Sequence, residues 1–216
     1  MALVDHWPLF GLSIRTERLE LRIPSDADLV ALVDVARSGI HPPETMPFAV
    51  PWTDLDSPEF ERSMLQYHWG TRANVRVDRW DLGFAVIFEG RTIGMQGLHS
   101  VDFPILRTVE TGSWLARQFQ GRGIGTEMRA AALAFAFDHL GAHTITSGAF
   151  HDNPGSQRVS LANGYEPNGV VEVVRRGTSA TTIKYRLTRQ RWEATRLDVA
   201  ITVDGLAACL PMLGLS

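Results

Sequence analysis

The 216-residue chain has 21 basic and 24 acidic residues, a formal net charge of −3, and 44% hydrophobic residues. It has no run of basic residues, which argues against nucleic acid or an anionic membrane as its main partner. A single cysteine, Cys209, excludes an internal disulfide, and no charged start followed by a long apolar stretch marks export, so a cytoplasmic location is expected. We expect residues 1–195 to form one domain and residues 196–216 to be a C-terminal extension.

The first part of the chain predicts a strand, two helices and a long loop. Apolar and charged residues alternate over 19–23, as in a half-buried strand. Ser25 then begins a helix that ends near residue 39, and a second helix is expected over 57–73. Residues 40–56 are rich in proline and lack periodicity, which predicts a loop of the kind that often binds ligands. Trp52, within it, is a candidate wall of a substrate pocket.

The rest of the chain alternates strand-like and helix-like segments. Strands are predicted over 81–89, 91–98, 109–116, 144–150, 170–175 and 181–187, and helices over 124–140 and after Asn153. Gly141 is placed to end the longer helix. This order predicts an α/β fold with a mixed central β-sheet flanked by helices.

A glycine-rich stretch, Gln120 to Gly125, lies between a predicted strand and a predicted helix. There several backbone N–H groups can converge at the positive end of the helix dipole, which predicts a site for phosphate oxygens. A Walker loop is excluded because Thr126 and Glu127, rather than Lys and Ser or Thr, follow the last glycine. A dinucleotide fingerprint fails because it requires a glycine at Thr126.

The stretch resembles the Gln/Arg-x-x-Gly-x-Gly/Ala motif of the GNAT acyltransferases, with Gln120, Gly123 and Gly125 in its fixed places. Downstream, Asn153-Pro154-Gly155-Ser156 and the later Gly164-Tyr165 are similar to the family's second motif. Residues 16–22 look like the first strand of the RimJ/RimL branch. Together with residues 46–52 and 112–115, they look close to a mycobacterial and actinobacterial subgroup that includes members associated with succinyl-CoA.

The resemblance implies a GNAT fold and transfer of an acyl group from acetyl-CoA or succinyl-CoA to a primary amine. The acceptor would be a protein N-terminus, a lysine or a small molecule, and no metal is expected. The implied CoA-binding residues are Trp114, Leu115, Gln120, Gly121, Arg122, Gly123, Ile124, Gly125, Thr126, Asn153 and Ser156. The branch commonly dimerises, so the resemblance also allows a homodimer. The alternative is a catalytically silent CoA-binding regulatory module.

Acyl transfer requires a group that removes a proton from the amine and a donor for the leaving thiolate. Glu110 is the first candidate base, because the family's carboxylate often lies on this part of the strand. Glu172 competes with it, since RimL-like enzymes place a base on the strand after the second motif. Ser156 is the candidate thiolate donor, because Ser160 stands where many members have a tyrosine. Arg175 falls where the RimL pattern has its carboxylate, and it is a candidate for holding a succinyl tail.

Overall fold

The computed structural model describes all residues, 1–216, as one nine-stranded sheet with helices on both faces. The strands are β1 (Ser13–Arg15), β2 (Leu19–Arg22), β3 (Arg79–Phe88), β4 (Arg91–Val101), β5 (Thr108–Leu115), β6 (Thr144–Phe150), β7 (Glu166–Arg175), β8 (Thr178–Thr188) and β9 (Thr202–Asp204). The helices are α1 (Leu3–His6), α2 (Asp26–Arg37), α3 (Glu59–Ala73), α4 (Phe103–Leu106), α5 (Ile124–Ala134, continued as a π-helical turn to His139), α6 (Pro154–Ala162), α7 (Arg189–Thr195) and α8 (Leu206–Cys209).

The sheet is mixed, with strand order β7-β8-β6-β5-β4-β3-β2-β1-β9. Only β5 and β6 run parallel, and α5 forms the crossover between them. The other neighbouring strands are antiparallel. The predicted α/β fold with a mixed sheet flanked by helices is therefore confirmed.

Side-chain alternation along β3 divides the interior into two cores. Leu82, Phe84 and Val86 point to the face covered by α5, here called the α5 face, and belong to a cluster of 36 buried residues. Ala85 and Ile87 point to the opposite face, where α2 and α3 complete a cluster of 10 buried residues. This second face is called the α2/α3 face. Successive side chains of β3 lie on opposite faces because side chains alternate along a strand with a period of two residues.

Local signals fix the ends of the helices. Ser25 caps α2 in a reciprocal pair with Asp28, whose backbone N–H donates to the serine hydroxyl at 3.1 Å. Gly141, with φ +74°, follows the π-helical turn and ends the α5 segment. Residues 40–56 form the predicted loop, apart from a single 3₁₀ turn at Trp52–Asp54.

The segment after residue 195 packs against the rest of the chain. Strand β9 pairs antiparallel with β1, and Cys209 and Leu213 are fully buried in the larger core. Burial raises the pKa of the Cys209 thiol to about 11. The division at residue 195 stays a prediction. No helix of the structure combines the length and the apolar character needed to cross a bilayer.

Candidate active site

A wedge opens in the sheet between β5 and β6. The two strands pair only from Thr108↔Thr144 to Thr111↔Ser147, although β5 continues to Leu115 and β6 to Phe150. Beyond that point the edge of β5 that faces β6 has no strand partner. Apart from the Leu115 carbonyl, which accepts from Gln120, the backbone groups of this edge are free to pair with an extended ligand, as an added strand would. The wedge opens toward the N-terminus of α5.

The glycine-rich loop lies at the open end of this wedge. Gly121 and Gly123 adopt left-handed backbone conformations, with φ +71° and +76°, which glycine tolerates without strain. The backbone N–H groups of residues 121–125 donate to no acceptor within the protein. Five consecutive free donors at the start of an eleven-residue helix form an anion-binding cradle that fits a pyrophosphate.

The predicted CoA-binding residues of this loop divide into two groups. Gly121, Arg122, Gly123, Ile124 and Gly125 contribute the free N–H groups. The N–H of Thr126 donates to Gly123 O at 3.1 Å, so its backbone donor is already engaged and lies outside the cradle. The amide nitrogen of Gln120 donates to Ile40 O and Leu115 O, both at 2.8 Å, so this side chain fastens the loop to the end of β5.

Aromatic side chains cover the wedge on the α2/α3 face. The Trp114 ring lies 6.0 Å from that of Trp52, which also packs on Phe48 at 5.0 Å and on Phe60 at 5.7 Å, between ring centroids. Trp52 thus belongs to an aromatic cluster beside the wedge that packs on the smaller core. Leu115 is buried and presents its carbonyl to the loop.

The start of α6 borders the wedge from the side of β6. The Asn153 side chain accepts the N–H of Ser156 at 3.1 Å, which is an ordinary N-cap. The Ser156 hydroxyl is half-buried and makes no hydrogen bond within the protein. The Ser160 hydroxyl is fully buried and also lacks a partner.

Glu110 lies at the closed end of the wedge, on the α2/α3 face. Half of its side chain is exposed, and its Oε1 lies 3.6 Å from Lys184 Nζ. The strand register aligns Asp81, His99 and Glu110 across β3, β4 and β5. Burial raises the pKa of Asp81, and the nearby His99 opposes that shift.

Glu172 lies far from this group. It is on the edge strand β7, three strand spacings or about 14 Å from β5. The register Glu172↔Thr181 places it on the sheet face opposite to Glu110. Hydrogen bonds from the hydroxyls of Thr181 and Ser179, at 2.6 and 2.8 Å, lower the pKa of its carboxyl. The position of Glu172 and its lowered pKa both weigh against it as the base.

Arg129 is a site residue that sequence reasoning missed. It projects from α5 and is 3% exposed. Its guanidinium donates to Gln96 Oε1 at 3.3 Å, Thr111 Oγ1 at 3.0 Å, Ser147 Oγ at 3.2 Å and Ser113 Oγ at 2.9 Å. Thr111 and Ser147 form the last pair before the strands part, so this cation lies at the closed end of the wedge on the α5 face. An arginine within an alanine-rich apolar helix is the signal that could have found it.

No carboxylate pairs with Arg129, and its four hydrogen bonds all go to neutral side chains. The hydroxyl of Tyr165 lies beside it and bonds to Thr111 Oγ1 at 2.9 Å. Burial raises the pKa of this tyrosine, and the Arg129 charge opposes the shift. A buried cation with neutral partners only is an uncompensated charge.

Arg175, by contrast, is already paired. It forms a bidentate ion pair with Asp152 at 2.7 and 2.9 Å, stacks on Phe150 and donates to Met46 O. These contacts give Arg175 an internal partner instead of a free guanidinium for an acyl tail. They also fasten the 40–56 loop to the β7–β8 hairpin.

Arg176 strengthens the same connection with a bidentate ion pair to Asp54. The two arginines lower the pKa values of Asp54 and Asp152. Nowhere do three or more His, Cys, Asp or Glu side chains gather in a way that could hold a metal ion.

Comparisons with known proteins agree with this geometry. The family described as "Acetyltransferase (GNAT) domain" matches residues 18–166. YdaF of Bacillus subtilis, named as a ribosomal N-acetyltransferase, is 26% identical over 113 residues, which cover 51% of this chain and 61% of that protein. YjcK of the same organism, named as an N-acetyltransferase, is 29% identical over 43% of this chain and 51% of its own length. The matches therefore span between half and two thirds of these relatives.

Solved structures share the fold. RimJ of Mycobacterium smegmatis, in complex with CoA-disulfide, superposes with a TM-score of 0.67 at 20% identity, covering 85% of this chain and 90% of that one. A protein of Vibrio cholerae named as a ribosomal-protein-serine acetyltransferase gives 0.64 at 21% identity, covering 82% and 97%. At these identities the likeness concerns the fold alone. Since the family match extends over more than half of the sequence, the chain belongs to the GNAT acetyltransferase family.

Proposed function

We propose that this protein is an acyl-CoA-dependent N-acyltransferase that acts on a primary amine. The observation that carries the proposal is the set of five unpaired N–H groups at residues 121–125, at the open end of a wedge whose closed end holds Glu110. The cradle fits the pyrophosphate of CoA, and the free edge of β5 fits an extended pantetheine arm. The thioester would then lie near the point where β5 and β6 part.

Glu110 is the group we propose as general base. An ammonium is not nucleophilic, so the acceptor must lose a proton to a carboxylate within reach, directly or through one water. Glu110 is half-exposed on the face opposite to α5, which leaves it accessible to an incoming amine. The free hydroxyl of Ser156, at the wedge, is the proposed donor to the leaving thiolate.

The acceptor we propose enters over the α2/α3 face, on which the Glu110 side chain is half-exposed. Trp52 and Trp114 would form one wall of its pocket. A protein N-terminus, a lysine or a small amine would each satisfy this chemistry. The names of YdaF and of the Vibrio cholerae neighbour favour a ribosomal protein among these, and their partial or distant likeness leaves that choice to experiment.

For the donor we propose acetyl-CoA or succinyl-CoA, and Arg129 is the observation that favours the acidic acyl group. Its guanidinium is buried at the closed end of the wedge and has no carboxylate partner. A carboxylate at the end of an acyl chain would supply the missing counter-charge. Arg175, the candidate that the sequence suggested for this task, is occupied by Asp152.

The test is thiol release from acetyl-CoA and succinyl-CoA with a panel of amines that includes peptides with free N-termini. We expect release that depends on both an acyl-CoA and an amine, and that falls in Glu110→Gln. Binding of CoA without release by any amine would contradict the proposal and favour a regulatory CoA-binding module. Failure of CoA to stabilise the protein against heat would contradict the site itself.

A further inference from the structure

Lys184 is the only lysine of the chain, and its amine lies beside the proposed base. Its Nζ is 3.6 Å from Glu110 Oε1, and 40% of the lysine side chain is exposed. Both side chains are on the α2/α3 face, because Lys184 pairs with Gly148 and Glu110 pairs with Thr146, two residues earlier on β6. The only lysine thus reaches across β6 from β8 to β5.

Gly148 leaves space for the Lys184 side chain to cross β6. A Cβ at Gly148 would lie 3.7 Å from Lys184 Nζ and 3.3 Å from the Thr182 methyl group, so any side chain there would crowd the lysine. Gly148 is also the first residue of β6 beyond the last pair with β5, Thr111↔Ser147. The amine therefore lies over the point where the wedge begins.

We infer that Lys184 is a self-acylation site, at which the protein transfers an acyl group from acyl-CoA to its own Nζ. The inference rests on the proposed function. Glu110, the base proposed for an external amine, is equally within reach of this internal one. The two proposals differ in the acceptor and share the donor.

The step balances without any other reactant. Glu110 accepts a proton from the Lys184 ammonium, and the neutral Nζ attacks the thioester carbonyl carbon. A C–N bond forms and the C–S bond breaks, and the second proton that Nζ loses passes to the leaving CoA thiolate through the Ser156 hydroxyl or through water. The product is a neutral amide at Lys184, which no longer pairs with Glu110.

The acylated side chain would also fill the space in which an external amine must approach Glu110. Modification and turnover are therefore mutually exclusive in one molecule. We expect activity to decline as acylation of Lys184 proceeds when no external amine is present, and an abundant acceptor to protect the lysine.

The experiment incubates the full chain with acetyl-CoA and, separately, succinyl-CoA, without an acceptor, and follows intact mass and peptide maps. The variant Arg62→Lys provides an internal control, because it introduces a second lysine at an exposed position of α3. The acylation rate of that lysine measures uncatalysed reaction with acyl-CoA. We expect Lys184 to be acylated at least tenfold faster than that second lysine, and Glu110→Gln to remove the difference. Heat-unfolded protein should show equal rates at both lysines.

Equal rates at both lysines in the folded protein would overturn the inference. So would a Lys184 that stays unmodified in the incubation without acceptor, if the same protein turns over an external amine. The second result would leave the proposed function intact. Absence of both reactions, in protein that CoA does not stabilise, would overturn the two proposals together. Since Lys184→Arg keeps the positive charge and removes the acceptor, persistence of the same mass shift in this variant would place the modification elsewhere and refute the assignment.

Discussion

Replacing Gly123 with Asp tests the phosphate cradle most directly. Gly123 caps α5 with φ +76°, and its N–H is one of the five free donors. Its neighbour across the loop is Arg18, whose Nη2 would lie 3.9 Å from a Cβ at this position. A carboxylate here would face the two negative charges of a pyrophosphate across a few ångströms of loop.

The substitution has two separate costs. The left-handed backbone costs a non-glycine residue about 1 kcal/mol of folding stability, whether or not CoA is bound. The charge acts on binding alone, since like charges about 5 Å apart repel by about 1.7 kcal/mol at an effective dielectric constant of about 40. Screening and the nearby Arg18 reduce this repulsion, while the second phosphate adds to it. We expect CoA affinity to fall at least tenfold, or about 1.4 kcal/mol.

Gly123→Asn is the matched control, because it has nearly the same shape and backbone preference without the charge. Titration calorimetry of both variants with CoA, at about 50 mM and about 500 mM salt, isolates the electrostatic part of the loss in CoA affinity. The Asp variant should bind more weakly than the Asn variant, and added salt should narrow the gap. Equal affinities of the two folded variants at low salt would refute the assignment of the loop as the pyrophosphate site.

Three further predictions concern the base, the buried cation and a buried histidine. Glu110→Gln should lower kcat by roughly 10² to 10⁴ with little change in CoA affinity, whereas Glu172→Gln should keep its rate; the reverse result in steady-state kinetics would exchange their roles. Arg129→Met should lower kcat/KM for succinyl-CoA relative to acetyl-CoA at least tenfold, because it removes the cation proposed to pair with the succinyl carboxylate; an equal loss with both donors, measured beside the exposed Arg62→Met, would speak against a role in donor choice. Burial lowers the pKa of His68 to about 4, so between about pH 6.5 and pH 4 this histidine is protonated in the unfolded chain but not in the folded one. The free energy of unfolding should therefore fall by about 2 kcal/mol from pH 7.5 to pH 5. Urea unfolding should show a smaller loss of stability over this pH range in His68→Gln than in the wild type. If stability depends on pH equally in both proteins, His68 does not contribute.

Much of the fold could be predicted because its signals are local. The β3–β4 hairpin follows from alternation around the Glu89–Gly90 turn, and the caps at Ser25, Gly141 and Asn153 are short patterns with direct hydrogen-bonding reasons. The short strands β1 and β9, at one end of the sheet, do not appear among the predicted strands. Each has three residues, and their pairing joins segments nearly 190 positions apart, so no periodicity could reveal them.

The site divides in the same way. The conformation of the glycine loop could be predicted, because the left-handed backbone at Gly121 and Gly123 is one that glycine favours. The choice between Glu110 and Glu172 could not, since it depends on the register across β5, β6, β8 and β7. The environment of Arg129 likewise could not be predicted, because its partners Gln96, Thr111 and Ser147 lie on three different strands.

The two edges of the sheet differ in what they offer to another chain. At one edge, β9 has only three residues, and such a short strand is a poor template for pairing. At the other, β7 extends over ten residues, with Val170 and Val174 exposed. Of the two outer edges of the sheet, only β7 is therefore long enough to favour association by strand pairing. If two copies paired through this edge, each β7 would cover the free edge of the other. Assembly would then end at a closed dimer instead of continuing into a fibre.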